Sequence, residues 1–410
     1  MERAVCPMKN TFTVSLLGAR MHYAVPRVLH SAGLLERFFT DICAQKGWPR
    51  LLKLMPVALQ PAGLRRLSSR IVDDVSVDRI TAFNSFGLEY SRRRSRATNP
   101  TESTAVYLWA GKRFCELVIQ AGLGEASGVY VFNSAGLELL EYARNSGLKT
   151  VMEQTIAPTE IELAILARET AVHPGWEPSA SRNEFANELA AREKTEWESA
   201  DIILCGSEFV RQGIADCGGP AERCKVVPYG VNGNIRRAHI PEDGPLRVLT
   251  VGAVGLRKGA PYILAAAQAL GAKTKFRLAG RISLTDAARE TFAKHAELTG
   301  PVGRAEIGKL YGEAEVFLLP SLCEGSATAT YEALAAGLPV ITTPNAGSVV
   351  RDGIDGFVVP VADANAIVEK LELLAGDRAL LASMSANALR RASEFTLEGY
   401  SRRLLEAISP

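Results

Sequence analysis

The chain has 410 residues, of which 47% are hydrophobic and 22% charged, and its formal net charge is +2. It is too long for one ordinary core, too apolar for disorder and too balanced in charge to read as a nucleic-acid binder, so two soluble globular domains are expected. Seven cysteines and five histidines are scattered without a CxxC pair, which disfavours a disulfide framework, a zinc module and a histidine-based metal site.

No run approaches the length of a membrane span, and residues 11–19 are too short and wrongly flanked for a signal sequence, which points to a cytoplasmic protein. At the N-terminus, TFTVSLL (11–17) reads as a buried strand, Gly18-Ala19-Arg20 as a turn and residues 25–35 as the following helix. Residues 43–113 carry 13 Lys/Arg against 5 Asp/Glu, including the run Ser91-Arg92-Arg93-Arg94-Ser95-Arg96. That run is either a solvated face or a peripheral contact for an anionic membrane surface or an acidic acceptor. Strands over 128–132 and 149–152 flank a helix over 135–145, and such alternation implies a parallel sheet covered on both faces.

A polar helix over 181–198 leads into a strand at 201–205, after which Ser207 caps a helix over 208–216. Residues 225–232 look like a strand ending in a turn, and the polar segment 232–245 is the best linker in the chain. It divides a first domain, 1–236, from a second, 237–392, with a C-terminal helix in 393–410 packing back on the first. After the linker the alternation restarts: strand 246–251, loop 252–259, helix 261–270 and strand 275–280. A helix over 305–312, strands at 315–319 and 340–343, and helices over 364–374, 379–391 and 397–408 follow. The expected fold class is α/β, with two Rossmann-like doubly wound domains facing across a cleft and binding ligands beyond the carboxyl ends of their strands.

One stretch at such an edge, CEGSATATYE (323–332), holds two glutamates eight positions apart, which on a continuous helix would leave them about 80° apart. Pro320 ends the preceding strand, so Ser321–Gly325 forms a loop, the helix begins near Ser326 or Ala327, and Gly337 closes it. Glu324 is then in the loop and Glu332 inside the helix. Free N–H groups at Gly325, Ser326 and Ala327 suit a phosphate, and the two carboxylates suit sugar hydroxyls, which together fit a nucleotide sugar. The alternative is that Glu324 serves only the helix dipole and Glu332 a surface pair.

The ordered set Phe317-Leu318-Leu319-Pro320-Ser321, Glu324-Gly325, Glu332-Ala333, Ala336-Gly337-Leu338-Pro339-Val340 and Asp352-Gly353-Ile354-Asp355-Gly356-Phe357 resembles the GT-B glycosyltransferases. Within them it is similar to the retaining family 4, whose mark is two glutamates separated by seven residues. Val251-Gly252, Arg257-Lys258-Gly259, Gly303 and the segment 227–232 also match, so the resemblance covers nearly all of 200–405 and weakens upstream. It implies a transferase moving a sugar from a nucleotide-diphosphate donor to a hydroxyl, in glycan or glycolipid synthesis. Lys258 would contact the diphosphate and Glu324 the sugar hydroxyls near the reacting carbon, both as catalytic residues. Glu332 would hold the ribose, with Gly325, Ser326 and Ala327 supplying backbone amides and Gly303 in the donor site. Many relatives have arginine where this chain has Ala253; Arg257 is expected to supply that charge, or the phosphate site is weaker. The resemblance further implies front-face substitution with retention, in which the leaving phosphate takes the acceptor proton. The chain has no DxD, which disfavours a metal-bridged donor, and no cofactor is expected.

The first domain should take the acceptor, a glycan, a lipid-linked glycan or a small molecule. Its candidate cleft residues are Gly18, Arg20 and His22 in the first strand-to-helix loop, and Asn133 and Gln154 at the ends of later strands. Relatives often have a glycine pair in that first loop and a histidine near 154; both are missing here, so acceptor-side chemistry is unassigned. A nucleotide-sugar epimerase of the same architecture would need acid/base residues that are not evident, and a glycogen-phosphorylase-like enzyme a pyridoxal lysine for which there is no signature. A catalytically silent nucleotide-sugar-binding or scaffold protein is the alternative from another class.

Overall fold

The computed structural model describes residues 10–54, 62–68, 70–178, 183–232 and 244–409. Strands β1 (Phe12–Leu16), β2 (Leu35–Thr40), β3 (Ile80–Ala82), β4 (Gly128–Phe132), β5 (Lys149–Gln154), β6 (Ile202–Cys205) and β7 (Cys224–Val226) form one sheet in the order β3-β2-β1-β4-β5-β6-β7. Every pair in it is parallel. All five residues of β1 are buried, Thr13 and Ser15 included, as expected of a central strand with helices on both faces. Thr13 meets the requirement that a buried hydroxyl be bonded by donating to the Leu123 carbonyl at 2.8 Å.

The second sheet contains β8 (Leu246–Val251), β9 (Thr274–Ala279), β10 (Ala296–Gly300), β11 (Val316–Leu319), β12 (Val340–Thr342) and β13 (Gly356–Val358), in the order β10-β9-β8-β11-β12-β13 and again all parallel. Each sheet reverses its winding once, between β1 and β4 and between β8 and β11. The loops leaving the carboxyl ends of those strands therefore splay apart and leave a crevice.

The expected elements appear with small shifts, and two shifts matter. The strand expected at 225–232 ends at Val226: Pro228 has no N–H to continue the ladder. The helix expected from Ser326 or Ala327 runs Thr328–Ala335, because the N–H of Ala327 is drawn to the carbonyl of Ala346 at 3.0 Å instead. The short edge strands β3, β10 and β13, and the charged strand β2 beside β3, carry no strong sequence signal. The boundary expected at 236/237, and most of the linker, lie outside the described residues.

The C-terminal helix, Leu397–Ile408, packs on the first sheet rather than the second. Tyr400, Leu404 and Ile408 join the core that holds Tyr130, Val151 and Tyr229; burying Leu404 and Ile408 contributes roughly 1.5–3 kcal/mol apiece. Lys149 and Lys225 donate to the carbonyls of Ile408 and Ala407, both at 2.7 Å, and so satisfy the open end of that helix. The helix Thr159–Val172 does the reverse: it leaves β5 of the first sheet and lies on the second domain. There Tyr262 donates to Glu169 at 2.7 Å, the N–H of Leu256 donates to Glu177 at 2.8 Å, and Thr285 donates to the Trp176 carbonyl at 2.9 Å. Two straps running in opposite directions thus join the domains.

Candidate active site

Where the second sheet reverses, β8 and β11 deliver two loops to one place. The β8 loop turns at Gly252 and Gly259, both with left-handed φ (+146° and +75°). A side chain at Gly252 would meet Lys258, and one at Gly259 would come within 2.3 Å of the Pro320 carbonyl, so the two loops approach as closely as glycine permits. The N–H of Leu322 donates to the carbonyl of Arg257 at 2.9 Å and fixes their register.

This packing brings Lys258, Arg257 and Glu324 together. Nζ of Lys258 is 2.5 Å and Nη1 of Arg257 2.8 Å from the same oxygen of Glu324, Oε1. Arg257 is also anchored by donating to the Cys323 carbonyl at 2.8 Å. Burial holds the Lys258 ammonium below its ordinary pKa even with Glu324 beside it, and the neighbouring Arg257 lowers it further. Two cations thus converge on one carboxylate oxygen in a shielded crevice, where an anion can compete with that carboxylate for them.

Of Gly325, Ser326 and Ala327, the last departs from its expected role and the first two have further ones. A side chain on Gly325 would come within 2.0 Å of the Thr155 carbonyl, so this glycine is where the second domain's loop touches the first domain. Its own carbonyl accepts from Ser207 Oγ at 2.5 Å. The Ser326 hydroxyl is buried, donates to the Gly347 carbonyl at 2.9 Å and lies 2.8 Å from the Tyr331 hydroxyl. The Ala327 amide is committed to Ala346. The expectation of a free row of three amides is therefore corrected: the Ala327 amide is spent, and the Ser326 side chain fastens the loop. Glu332 is half-buried inside the helix Thr328–Ala335 and accepts from the Tyr311 hydroxyl at 3.1 Å. Gly303 precedes the helix Arg304–Glu313 beyond β10, with nothing within 4 Å of where a side chain would go.

On the first domain, Gly18 has φ +106°, and its N–H donates to Asp41 at 3.1 Å, while Arg70 holds the other oxygen of Asp41 at 2.9 Å. Arg20 reaches toward the second domain. It donates to the Thr155 carbonyl at 2.9 Å and to the Tyr229 hydroxyl at 3.0 Å, and its Nε lies 3.7 Å from buried Glu153. Since that same Thr155 carbonyl abuts Gly325, Arg20 braces the contact between the domains. Asn133 does so as well: its Oδ1 accepts from the Thr155 hydroxyl at 2.7 Å and its N–H at 3.1 Å. His22 is exposed, in a run of three residues, Met21 to Tyr23, with φ between 45° and 61°. Such a run is strained for side-chain-bearing residues, and strain of this kind concentrates at functional loops.

Gln154 is a correction. It is fully buried, donates to Glu193 at 2.6 Å and to the Ile156 carbonyl at 3.0 Å, and accepts from the Trp197 indole at 3.0 Å. It therefore fastens the helix Ala186–Ser199 to β5, not the cleft. The alternation of strand residues explains this: Gln154 points into the layer below the sheet, toward that helix.

A residue that sequence reasoning missed is Glu162, in the helix Thr159–Val172. Its Oε1 is 3.7 Å from Arg257 Nε, so Arg257 lies between a carboxylate of each domain. Burial raises the Glu162 pKa, Arg257 opposes the rise and Glu324 adds to it. An acidic residue in the first turn of a helix is expected on dipole grounds alone, so no sequence signal distinguishes it.

Residues 245–377 match the protein family described as glycosyl transferases group 1. Among curated proteins, the chain is similar to the amylovoran biosynthesis glycosyltransferase AmsK of Erwinia amylovora, 26% identical over 230 residues covering 51% of this chain and 56% of that protein. It is also similar to the D-inositol 3-phosphate glycosyltransferase of Thermobispora bispora, 29% identical over 216 residues covering 46% of this chain and 50% of that protein. The chain spans about half the length of the curated relatives it matches. Among solved structures, the sucrose-phosphate synthase of Thermosynechococcus elongatus superposes with a TM-score of 0.64 at 16% identity, over 96% of this chain and 98% of that one. HepE of Anabaena in complex with UDP superposes with a TM-score of 0.62 at 13% identity, over 97% and 99%. These likenesses show the fold: two Rossmann-like domains in the GT-B arrangement.

Proposed function

We propose that this protein is a glycosyltransferase that moves a sugar from a nucleoside-diphosphate sugar to a hydroxyl acceptor, with retention of configuration, in the synthesis of a glycan or glycolipid. The observation that carries the proposal is the cluster of Lys258 and Arg257 on one oxygen of Glu324 at the reversal of the second sheet. The match of residues 245–377 to the group 1 family supports it, as do relatives named for amylovoran and colanic acid biosynthesis. HepE is known in complex with UDP-glucose, which supports a nucleotide sugar as the partner here.

In this reading the donor diphosphate draws Lys258 and Arg257 away from Glu324 and takes the place of its charge. Glu324 is then released to accept hydrogen bonds from the sugar hydroxyls and to stabilise positive charge developing at the anomeric carbon. Glu332, held by Tyr311, accepts from the ribose hydroxyls. The bond from the anomeric carbon to the phosphate oxygen breaks with its electron pair going to the diphosphate, the acceptor oxygen bonds to that carbon from the same face, and the acceptor proton passes to the departing phosphate. The two cations neutralise the diphosphate, so the reaction proceeds without a metal. With the donor held in the second domain, the acceptor is taken by the first.

Thermal shift with UDP, GDP and ADP and their glucose and N-acetylhexosamine conjugates tests the proposal, because a ligand that binds only the folded state raises the melting temperature. One nucleotide series should stabilise the protein, and its sugar conjugate should be hydrolysed slowly to the nucleoside diphosphate. Stabilisation without any hydrolysis or transfer would reduce the protein to a nucleotide-sugar binder, and no stabilisation by any of them would end the reading.

A further inference from the structure

The basic run of the first domain is the tip of a helical hairpin that stands clear of the sheet. The helix Asn84–Arg96 starts just after β3, where the N–H of Phe83 donates to the Thr40 carbonyl at the end of β2. The helix Pro100–Ala121 returns beside it, through contacts of Phe86 with Trp109 and Phe114 and of Arg93 over Trp109 at 3.9 Å. A side chain on Gly111 would strike the Ser134 carbonyl just beyond β4, so the returning helix meets the carboxyl edge of the sheet at that residue. The ten or so residues before it make roughly 15 Å of helix, with Thr104 held by Asn183 at 2.9 Å, and Arg93 of the first helix lies over Trp109 within them.

Residues 91–96 are all exposed. Arg93 pairs with Glu89 at 2.6 Å, whereas among the described residues no carboxylate pairs with Arg92, Arg94 or Arg96. Arg92 and Arg96 follow Leu88 at steps of four and continue its face of the helix. Leu88 packs against the cluster of Ile42, Leu52 and Leu67; Leu52 lies in the short helix Trp48–Leu54, and the Asn84 side chain donates to the Lys46 carbonyl just before that helix at 3.0 Å. That short helix exposes Trp48 by 40% and Leu51 by 58%, with Arg50 exposed between them. The result is one surface at the acceptor-side rim, with an apolar base and a cationic tip.

We propose that Trp48, Leu51, Arg92 and Arg96 form a docking surface for an anionic lipid bilayer, which would bring the carboxyl edge of the first domain to the headgroups. Charge complementarity favours an anionic partner. The exposed tryptophan and leucine favour a bilayer over a soluble polyanion, because tryptophan is at home at the headgroup level and leucine gains only from an apolar phase. Among the described residues no helix is long and apolar enough to cross a membrane, so the contact is peripheral.

The test is co-sedimentation of the full chain with vesicles of phosphatidylcholine alone or mixed with phosphatidylglycerol, and binding to dextran sulfate as a soluble polyanion. The wild type should sediment with the mixed vesicles, less so at high salt, and not with neutral ones. Each arginine removed should cost roughly fivefold in partitioning, so R92A/R96A loses roughly thirtyfold, while R92K/R96K retains binding. W48A/L51A should lose vesicle binding and keep dextran sulfate binding. All four side chains are exposed, and circular dichroism confirms that each variant is folded. The proposal is overturned if the wild type ignores the mixed vesicles or R92A/R96A binds them as well as wild type. It is equally overturned if W48A/L51A sediments like wild type, since the surface would then be a polyanion site. None of these outcomes depends on glycosyl transfer.

Discussion

Replacing Glu324 by glutamine keeps the shape of the side chain and removes one negative charge from between two cations. The Lys258 side chain is 12% exposed and that of Arg257 29% exposed, so the pair lies between a surface ion pair and a buried one. Exposed pairs are worth about 0–1 kcal/mol, and breaking a buried one costs about 3–5, so a loss of about 1–3 kcal/mol in stability is expected. A diphosphate supplies the missing charge, and in the variant it no longer competes with a carboxylate for Lys258 and Arg257. UDP, or the nucleoside diphosphate that stabilises the wild type, should therefore bind E324Q on the order of tenfold more tightly. Donor hydrolysis and transfer should fall by about a hundredfold or more, because the carboxylate proposed to face the anomeric carbon is gone. Titration calorimetry with the nucleotide, denaturant unfolding and the rate of nucleoside diphosphate release read the three quantities. Unchanged or weaker nucleotide binding in a folded E324Q would refute the counter-ion argument, and wild-type turnover would remove Glu324 from the chemistry.

Glu162→Gln removes the second carboxylate facing Arg257, 3.7 Å away and part-exposed, so nucleotide affinity should rise only about two- to fivefold, by calorimetry; a decrease would mean that Glu162 contacts the ligand. Gly325→Ala places a carbon within 2.0 Å of the Thr155 carbonyl and should destabilise the protein by about 1–3 kcal/mol, whereas Gly303→Ala, with open space around it, should change stability by less than about 1 kcal/mol; equal effects in urea unfolding would contradict the close approach of the domains. Burial pushes the Glu196 carboxyl up to about 7, against Arg192 and the N–H groups of Ser134 and Gly136. A raised carboxyl pKa means that the folded state binds the extra proton between the unfolded value near 4.5 and about 7, so stability should decline as pH rises across that window, by about 1–3 kcal/mol. Glu196→Gln should flatten this decline in denaturation curves taken from pH 4.5 to 7.5, and an equal slope in wild type and variant would assign it to other groups.

The second domain was legible because its signals are local. The apolar runs at 246–251 and 316–319, each stopped by glycine or proline, place Lys258 and Glu324 at neighbouring strand ends by topology alone, and the structure joins them at 2.5 Å. The loop at 325–327 was only half legible. Small residues suggest room for a phosphate, but Gly325 is small because the Thr155 carbonyl lies against it, and the Ala327 amide is held by Ala346. Both partners are distant in sequence, so no spacing announces them. The same limit applies to Gln154: position at the carboxyl end of a strand says nothing of which face its side chain takes once a tryptophan on another helix claims it.

What sequence reasoning could not reach at all is the coupling between domains, and this bears on the missing acceptor-side residues. Arg20 and Asn133 were singled out for their places at strand ends, yet both are bonded to Thr155, Arg20 through its carbonyl and Asn133 through its N–H and hydroxyl. Glu162, seven residues on, faces Arg257 across the crevice. The stretch after β5 therefore carries, within eight residues, both the bracing of the first domain and that domain's carboxylate facing Arg257. A shift of this loop on acceptor binding would move Glu162 relative to Arg257 and the Thr155 carbonyl relative to Gly325 together. Thr155–Glu162, more than the strained loop at Met21–Tyr23, is therefore the expected place for acceptor binding to be felt at the donor cations.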